Sequence, residues 1–173
     1  MARTPRWNKK FNGDGTCEVI FSSWKYFSDY INQEMLNYTN YIYRGHGDSK
    51  WKLEPTLDRI IKHPTSQKRQ EHLEEFIYST RGRRGSNPPV MENENDWWAL
   101  GQHHGLYTPL LDWTESPFVA LFFAIESLLS KKSTHCSVHA IAQSGIKLIN
   151  AKIEEDESEV QKKIDQLNTI YRN

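Results

Sequence analysis

Apolar positions come in short bursts, separated by clusters of Gly, Pro, Ser and Asn. Residues 1–16 hold no such burst and read as a basic tail that ends in a Gly13-Asp14-Gly15 turn. Cys17 to Phe21 predicts a short strand. Ser22 or Ser23 then caps a helix through about Asn37, with Trp24, Phe27, Tyr30, Ile31 and Met35 near helical spacing. Tyr41, Ile42 and Tyr43 form a β-prone burst that ends at Arg44-Gly45. An arginine therefore stands at the mouth of a strand, beside a glycine that permits close backbone approach. Trp51 to Leu57 is a second extended piece, demoted by Pro55 to an edge or a loop.

Pro64 with Thr65 or Ser66 introduces a helix over about 67–80, with Leu73, Phe76 and Ile77 on one face. Residues 81–95 carry two glycines, two prolines and no periodicity, so they predict a loop. Asn95 or Asp96 caps a helix over Trp97 to His104, and Gly105 stands at its stop position. Tyr107 to Leu111 is short and β-prone. Ser116-Pro117 starts a helix to about Ser130, Ser as cap and Pro in the first turn. That helix is apolar nearly all round and is expected to be buried against several neighbours.

Val138 to Ala142 and Ile146 to Ile149 predict two strands hinged on Gln143-Ser144-Gly145. From Glu154 a charged helix follows, with Val160, Ile164, Leu167 and Tyr171 as one narrow stripe. Helices and strands intermix without a βαβ rhythm. The prediction is an α+β fold with a mixed or antiparallel central sheet, several packing helices and a C-terminal amphipathic helix. The expected organisation is a basic tail over 1–16, one domain over 17–150 and the charged helix over 151–173.

The chain has 173 residues, with 22 basic and 22 acidic side chains. Hydrophobic residues are only 37%, but 12% aromatics supply the burial that disordered chains lack. A neutral total also excludes a globally basic nucleic-acid protein. Residues 1–86 carry 15 basic and 10 acidic groups, whereas 87–173 carry 7 and 12. The excess comes from Arg3, Arg6, Lys9 and Lys10 in the tail and from Arg81, Arg83 and Arg84. Trp7 in such a run suits phosphate and base contacts, although a solvated loop is the commoner use. Two cysteines, Cys17 and Cys136, make no disulfide framework, which points to the cytoplasm. The longest apolar run, Phe118 to Ile125, is far short of the roughly 20 residues of a membrane span. His135, Cys136 and His139 suggest a metal site only on a helix. On the strand expected there, residues 135 and 139 lie roughly 13 Å apart, so no metal is expected.

The chemistry concentrates in residues 102–117, where Gln102, His103, His104, Thr108, Asp112, Thr114, Glu115 and Ser116 interleave with large apolar side chains. Burying so many hydrogen-bonding groups is costly unless each meets a partner or a ligand. The helix start that follows offers unpaired N–H groups to an anion. The plainer reading makes Asp112, Thr114 and Ser116 turn and cap residues of a strand–helix junction. His103 or His104 could act as acid–base with Asp112, the alternative being a hydrogen-bonded structural pair.

Tyr43-Arg44-Gly45, followed by Trp51-Lys52-Leu53, Pro55-Thr56-Leu57 and Arg59, resembles the opening motif of the FRG domain family. The block from Gln102 through Gly105-Leu106, Thr108, Leu110 to Thr114, Ser116-Pro117 and Ala120 to Ala124 resembles its second hallmark, and Val138 to Ile141 fits the strand that follows. The resemblance covers roughly residues 20–145. Family members usually carry Arg where this chain has Pro109, and they usually continue with strands where this chain has a charged helix.

The layout is also similar to that of ADP-ribosyltransferases, which use NAD. Those have a strand-end Arg or His, a Ser/Thr-rich motif, an Ala-x-x-Phe-Ala helix and a later Glu. That likeness implies that Arg44 binds the pyrophosphate of NAD, with Gly45 and His46 beside it, and that Thr114 and Ser116 brace the nicotinamide side. Gln102, Thr108 and the His103 to Ser116 stretch would form the opposite wall. Glu154, Glu155, Glu157 and Glu159 lie on the charged helix; Glu115 is a possible carboxylate for transition-state stabilisation, but it stands before the Ala-x-x-Phe-Ala helix and not after it as in that layout. The implied function is NAD or nucleotide binding with ADP-ribosyltransferase-like transfer to a protein or nucleic-acid acceptor. The alternative is an interaction, regulatory or nucleic-acid-binding domain of the kind used in bacterial or phage conflict systems. Self-association through 154–173 is the expected route to an oligomer.

Overall fold

A computed structural model describes residues 5–61 and 65–171, without the side chains of residues 66, 160 and 163–171. Among them are four strands and six helices, an α+β fold whose strands form two two-stranded sheets. The chain divides into two compact units. One holds residues up to Arg44, Thr114–Phe122 and the chain from Val138 on; the other holds Gly45–Trp113 and Phe123–Ser137.

In the first unit, β1 (Trp7–Phe11) pairs antiparallel with β2 (Cys17–Phe21), so Trp7 faces Phe21 and Phe11 faces Cys17. Residues 7–11 are thus a strand within the stretch expected to be a tail. Asp14 closes the turn by accepting from Thr16 N at 3.0 Å and Thr16 Oγ1 at 2.7 Å, which holds its carboxyl below the usual range. Helix α1 (Tyr26–Glu34) packs aromatic rings edge-on against the hairpin: Trp7 on Tyr30 at 5.6 Å, Phe21 on Phe27 at 5.8 Å and on Tyr30 at 5.4 Å. Its acids meet the basic residues of β1 and the residue before it, Lys9 Nζ to Glu34 at 2.7 Å and Arg6 to Asp29 at 3.3 Å. Arg6, Trp7 and Lys9 are therefore engaged by α1. The expected serine cap is corrected too: Ser22 Oγ donates to the Arg6 carbonyl at 3.2 Å, and the helix begins at Tyr26 with no side-chain cap bond.

Strand β3 (Tyr41–His46) continues through Arg44-Gly45 instead of ending there, and it pairs with β4 (Ser137–Ala142). Buried Tyr43 anchors it, its hydroxyl donating to the Tyr38 carbonyl at 2.8 Å. Burial pushes that phenol up to about 12.

The second unit is built on Leu57 of α2 (Thr56–Ile60), Leu73 of α3 (Ser66–Ser79) and Trp98 of α4 (Glu94–His103), joined by Ile77, Leu106 and Leu110. Burying each such side chain stabilises by roughly 1.5–3 kcal/mol. The extended piece expected over Trp51–Leu57 becomes coil and then α2. Thr65 caps α3 by accepting from Lys68 N at 3.3 Å, as expected. For α4 the cap is Asn93, earlier than expected, in a reciprocal capping box with Asp96. Gly105, at φ +84°, ends α4 in a Schellman turn: Leu106 N donates to Gly101 O at 2.8 Å and Gly105 N to Gln102 O at 3.1 Å.

Helix α5 (Pro117–Lys131) starts at Ser116-Pro117 as expected, but it is not buried all round. Pro117, Ala120 and Ala124 are buried, while Phe118, Val119, Phe122, Phe123 and Leu129 are exposed. The small residues sit on the most buried face, and among the large ones Phe118 still packs edge-on against Phe27 at 6.2 Å. Gly47 shows how closely a neighbour approaches α5: a Cβ there would lie 2.6 Å from the Ser127 main-chain carbon.

The hairpin expected over Val138–Ile149 is corrected as well. Only β4 is a strand, and Gln143 opens helix α6 (Gln143–Tyr171). Ile146, Ile149 and Ile153 step by 3 and 4, a helical period that a four-residue window cannot show. The stripe side chains Val160, Ile164, Leu167 and Tyr171 lie outside the described ones. No helix among the described residues is long and apolar enough to cross a membrane.

Candidate functional site

Thr114 joins β3 by a reciprocal pair of backbone bonds: Tyr43 N donates to Thr114 O at 2.7 Å and Thr114 N to Tyr43 O at 2.9 Å. The short strand expected over Tyr107–Leu111 does not form; this isolated antiparallel bridge follows that stretch. It fixes the backbone of the Ser/Thr junction one residue from Arg44. Thr114 Oγ1 then accepts from Ser116 N at 3.2 Å, and Ser116 Oγ accepts from Val119 N at 3.4 Å. Both hydroxyls thus act as local caps through an oxygen lone pair, and each keeps an O–H to donate. Glu115 lies exposed between them. The capping role expected for Thr114 and Ser116 is real, and it is compatible with ligand binding because it fixes where the hydroxyls stand.

His139, on β4, completes this group. Burial pushes its imidazole below the ordinary histidine value, and the Arg44 charge pushes it the same way. A neutral imidazole thus lies within reach of the guanidinium's field. In the sequence alone His139 suggests nothing beyond a metal ligand. The signal that points to it is its place on the strand after helix α5, since that strand pairs with the one bearing Arg44. Among the described residues no group of three or more His, Cys, Asp or Glu side chains could hold a metal. Burial raises the Cys136 thiol, which keeps it protonated and poorly nucleophilic.

The other candidates belong to the second unit. Gln102, half-buried on α4, bridges two of them. Its Nε2 donates to Asp112 Oδ1, and its Oε1 accepts from Thr108 Oγ1 at 2.6 Å. Thr108 is 3% exposed; its oxygen also accepts from Leu110 N at 3.4 Å, and its carbonyl accepts from Leu57 N at 3.2 Å. This network ties the 104–112 loop to α4 and α2. His103 and His104 are exposed and touch each other edge-to-face at 5.3 Å. Gly45 continues β3, and His46 is buried with its ring 6.2 Å from Trp51. The structure therefore groups Arg44, Thr114, Glu115, Ser116 and His139 in one unit. It groups Gln102, Thr108 and Asp112 in the other, where they hold a loop.

No curated protein and no solved structure matches the chain. The FRG domain family matches residues 39–133, more than half of it. The match spans the strand bearing Arg44, the Gln102 network, the Thr114–Ser116 junction and helix α5. The chain belongs to the FRG domain family.

Proposed function

We propose that the junction of β3, Thr114–Ser116 and the start of α5 binds the pyrophosphate of a dinucleotide, NAD in the first instance. The observation that carries this reading is the Tyr43–Thr114 bridge, which fixes the backbone of the Thr114–Ser116 junction and the start of α5 one residue along β3 from Arg44. A guanidinium grips two phosphate oxygens at once, and capped hydroxyls need no reordering to donate. His139 adds a group whose charge responds to an anion: burial and, after it, the Arg44 field keep the imidazole neutral, and a phosphate nearby offsets the second of these.

The chemistry that fits is transfer of the ADP-ribosyl group. The bond from ribose C1′ to the nicotinamide nitrogen breaks, and nicotinamide leaves with the electron pair. An acceptor oxygen or nitrogen bonds to C1′ and gives its proton to a base or to water. The exposed Glu115 carboxylate is the group in this unit suited to stabilise the positive charge at C1′. Incubation with NAD and assay of released nicotinamide tests the transfer. The wild type is expected to release it, and Arg44→Lys, which keeps the charge but loses the planar fork, is expected to lower the rate about tenfold or more. Equal rates in the two proteins would remove Arg44 from the site.

A second reading is favoured by the aromatic face of α5, where Phe118 is 46% and Phe122 61% exposed. A face of this kind suits an interaction or regulatory domain that docks a partner through α5.

A further inference from the structure

Helix α6 is solvent-exposed on every face from Lys147 through Glu159, including Leu148, Ile149 at 61% and Ile153 at 49%. Helices this exposed are marginal in water, and most helical stability comes from packing an apolar face. The sequence supplies such a face at seven-residue spacing. Ile146, Ile153, Val160 and Leu167 fall at one heptad position; Asn150, Glu157, Ile164 and Tyr171 fall at the other seam position.

Two such helices can pack parallel or antiparallel, and the polar residues choose between them. Side by side in parallel, Glu157 would meet Glu157 of the second copy and Asn150 would meet Asn150, with no opposite charges at the seam's edges. Run antiparallel about a two-fold axis between Ser158 and Glu159, every polar seam residue meets an apolar one. Glu157 faces Val160 of the second copy, Asn150 faces Leu167, Ile153 faces Ile164 and Ile146 faces Tyr171. At the flanks Asp156 meets Lys163 and Ile149 meets Ile170, each pairing occurring twice by symmetry. The heptad spacing, the charge complementarity and the uncovered helix agree on one arrangement.

We propose that α6 is a homodimerisation element, which joins two copies of this chain as an antiparallel two-stranded coiled coil over residues 146–171. The seam is about 38 Å long. The proposal is independent of any ligand at the Arg44 junction.

Light scattering on the eluting full chain is expected to give twice the chain mass. Asp156→Lys and Lys163→Asp each replace two attractive pairs by two repulsive ones and are expected to weaken the dimer roughly tenfold. The double variant D156K/K163D restores opposite charges and is expected to recover the wild-type constant. Circular dichroism and thermal melts of the variants check that the remaining domain stays folded. Orientation is read from spin labels at Leu148→Cys in a Cys17→Ser, Cys136→Ser background. Antiparallel packing sets the two labels more than about 30 Å apart, whereas parallel packing sets them near 20 Å. A monomer at the highest soluble concentration, a double variant as weak as the singles, or the short label distance would each overturn the proposal.

Discussion

Arg44 and His139 show how one residue's position gives another its chemistry. Burial pushes the His139 imidazole toward its neutral form, and the Arg44 guanidinium pushes it the same way. Because the folded value lies below that of the unfolded chain, the unfolded state takes up the proton first as pH falls. Stability contributed by neutral His139 is then fully present above about 6.5 and declines as pH falls below that toward the folded value. His139→Gln is expected to flatten the acid side of a stability–pH profile measured by denaturant melts. A profile that keeps its slope would place the titration elsewhere.

Thr108 makes a different point, since its side chain holds structure whether or not a ligand touches it. Its hydroxyl is buried on Gln102, and Gln102 in turn holds Asp112. Thr108→Val keeps the shape and removes the donor, leaving the Gln102 carbonyl short of a partner at a cost of about 1–3 kcal/mol. Urea melts measure that loss, and an unchanged midpoint would deny the network its structural role.

Elements were legible where local signals were strong. Ser116-Pro117, Thr65 and Gly105 each mark a helix end by capping chemistry, and the structure uses them all. The misreadings have physical causes. Residues 7–11 look like a basic tail because Lys9 and Lys10 mask a strand whose partner and helix neighbour lie further along the chain. Ile146–Ile149 looks like a strand because four residues cannot tell a period of two from one of 3.6. Helix α5 looks fully buried because its apolar residues run all round, yet packing selects the alanines.

Gly47 is an instance that no local signal reveals, since its constraint is the Ser127 backbone 80 residues away. A Cβ would strike the Ser127 hydroxyl, which can rotate away, and also the Ser127 main-chain carbon, which cannot swing aside. Gly47→Ala is therefore expected to destabilise by about 1–3 kcal/mol in denaturant melts. A neutral result would mean that the strand exit can shift away from α5.

For the molecule as a whole, family and fold class were readable because two motifs far apart in sequence point the same way. The candidate site was readable only in part. Arg44, Thr114, Glu115 and Ser116 fall in one unit with His139, whose role depends on strand pairing that a sequence does not display. His103 and His104 looked chemical and are exposed on the surface. The charge division also changes meaning. Part of the basic excess near the N-terminus is met by Asp29 and Glu34 on α1, which makes a hairpin–helix clasp of a stretch that suited nucleic acid.

The proposed function requires the Arg44 junction to hold a pyrophosphate. Calorimetric titration of the full chain with NAD and, separately, with inorganic pyrophosphate tests it most directly. Both ligands are expected to bind with net proton uptake near pH 6, as the anion draws a proton onto His139. Arg44→Ala is expected to abolish the heat of both while the thermal melt stays cooperative. No heat from the wild type, or equal heat from a folded Arg44→Ala protein, would contradict the account.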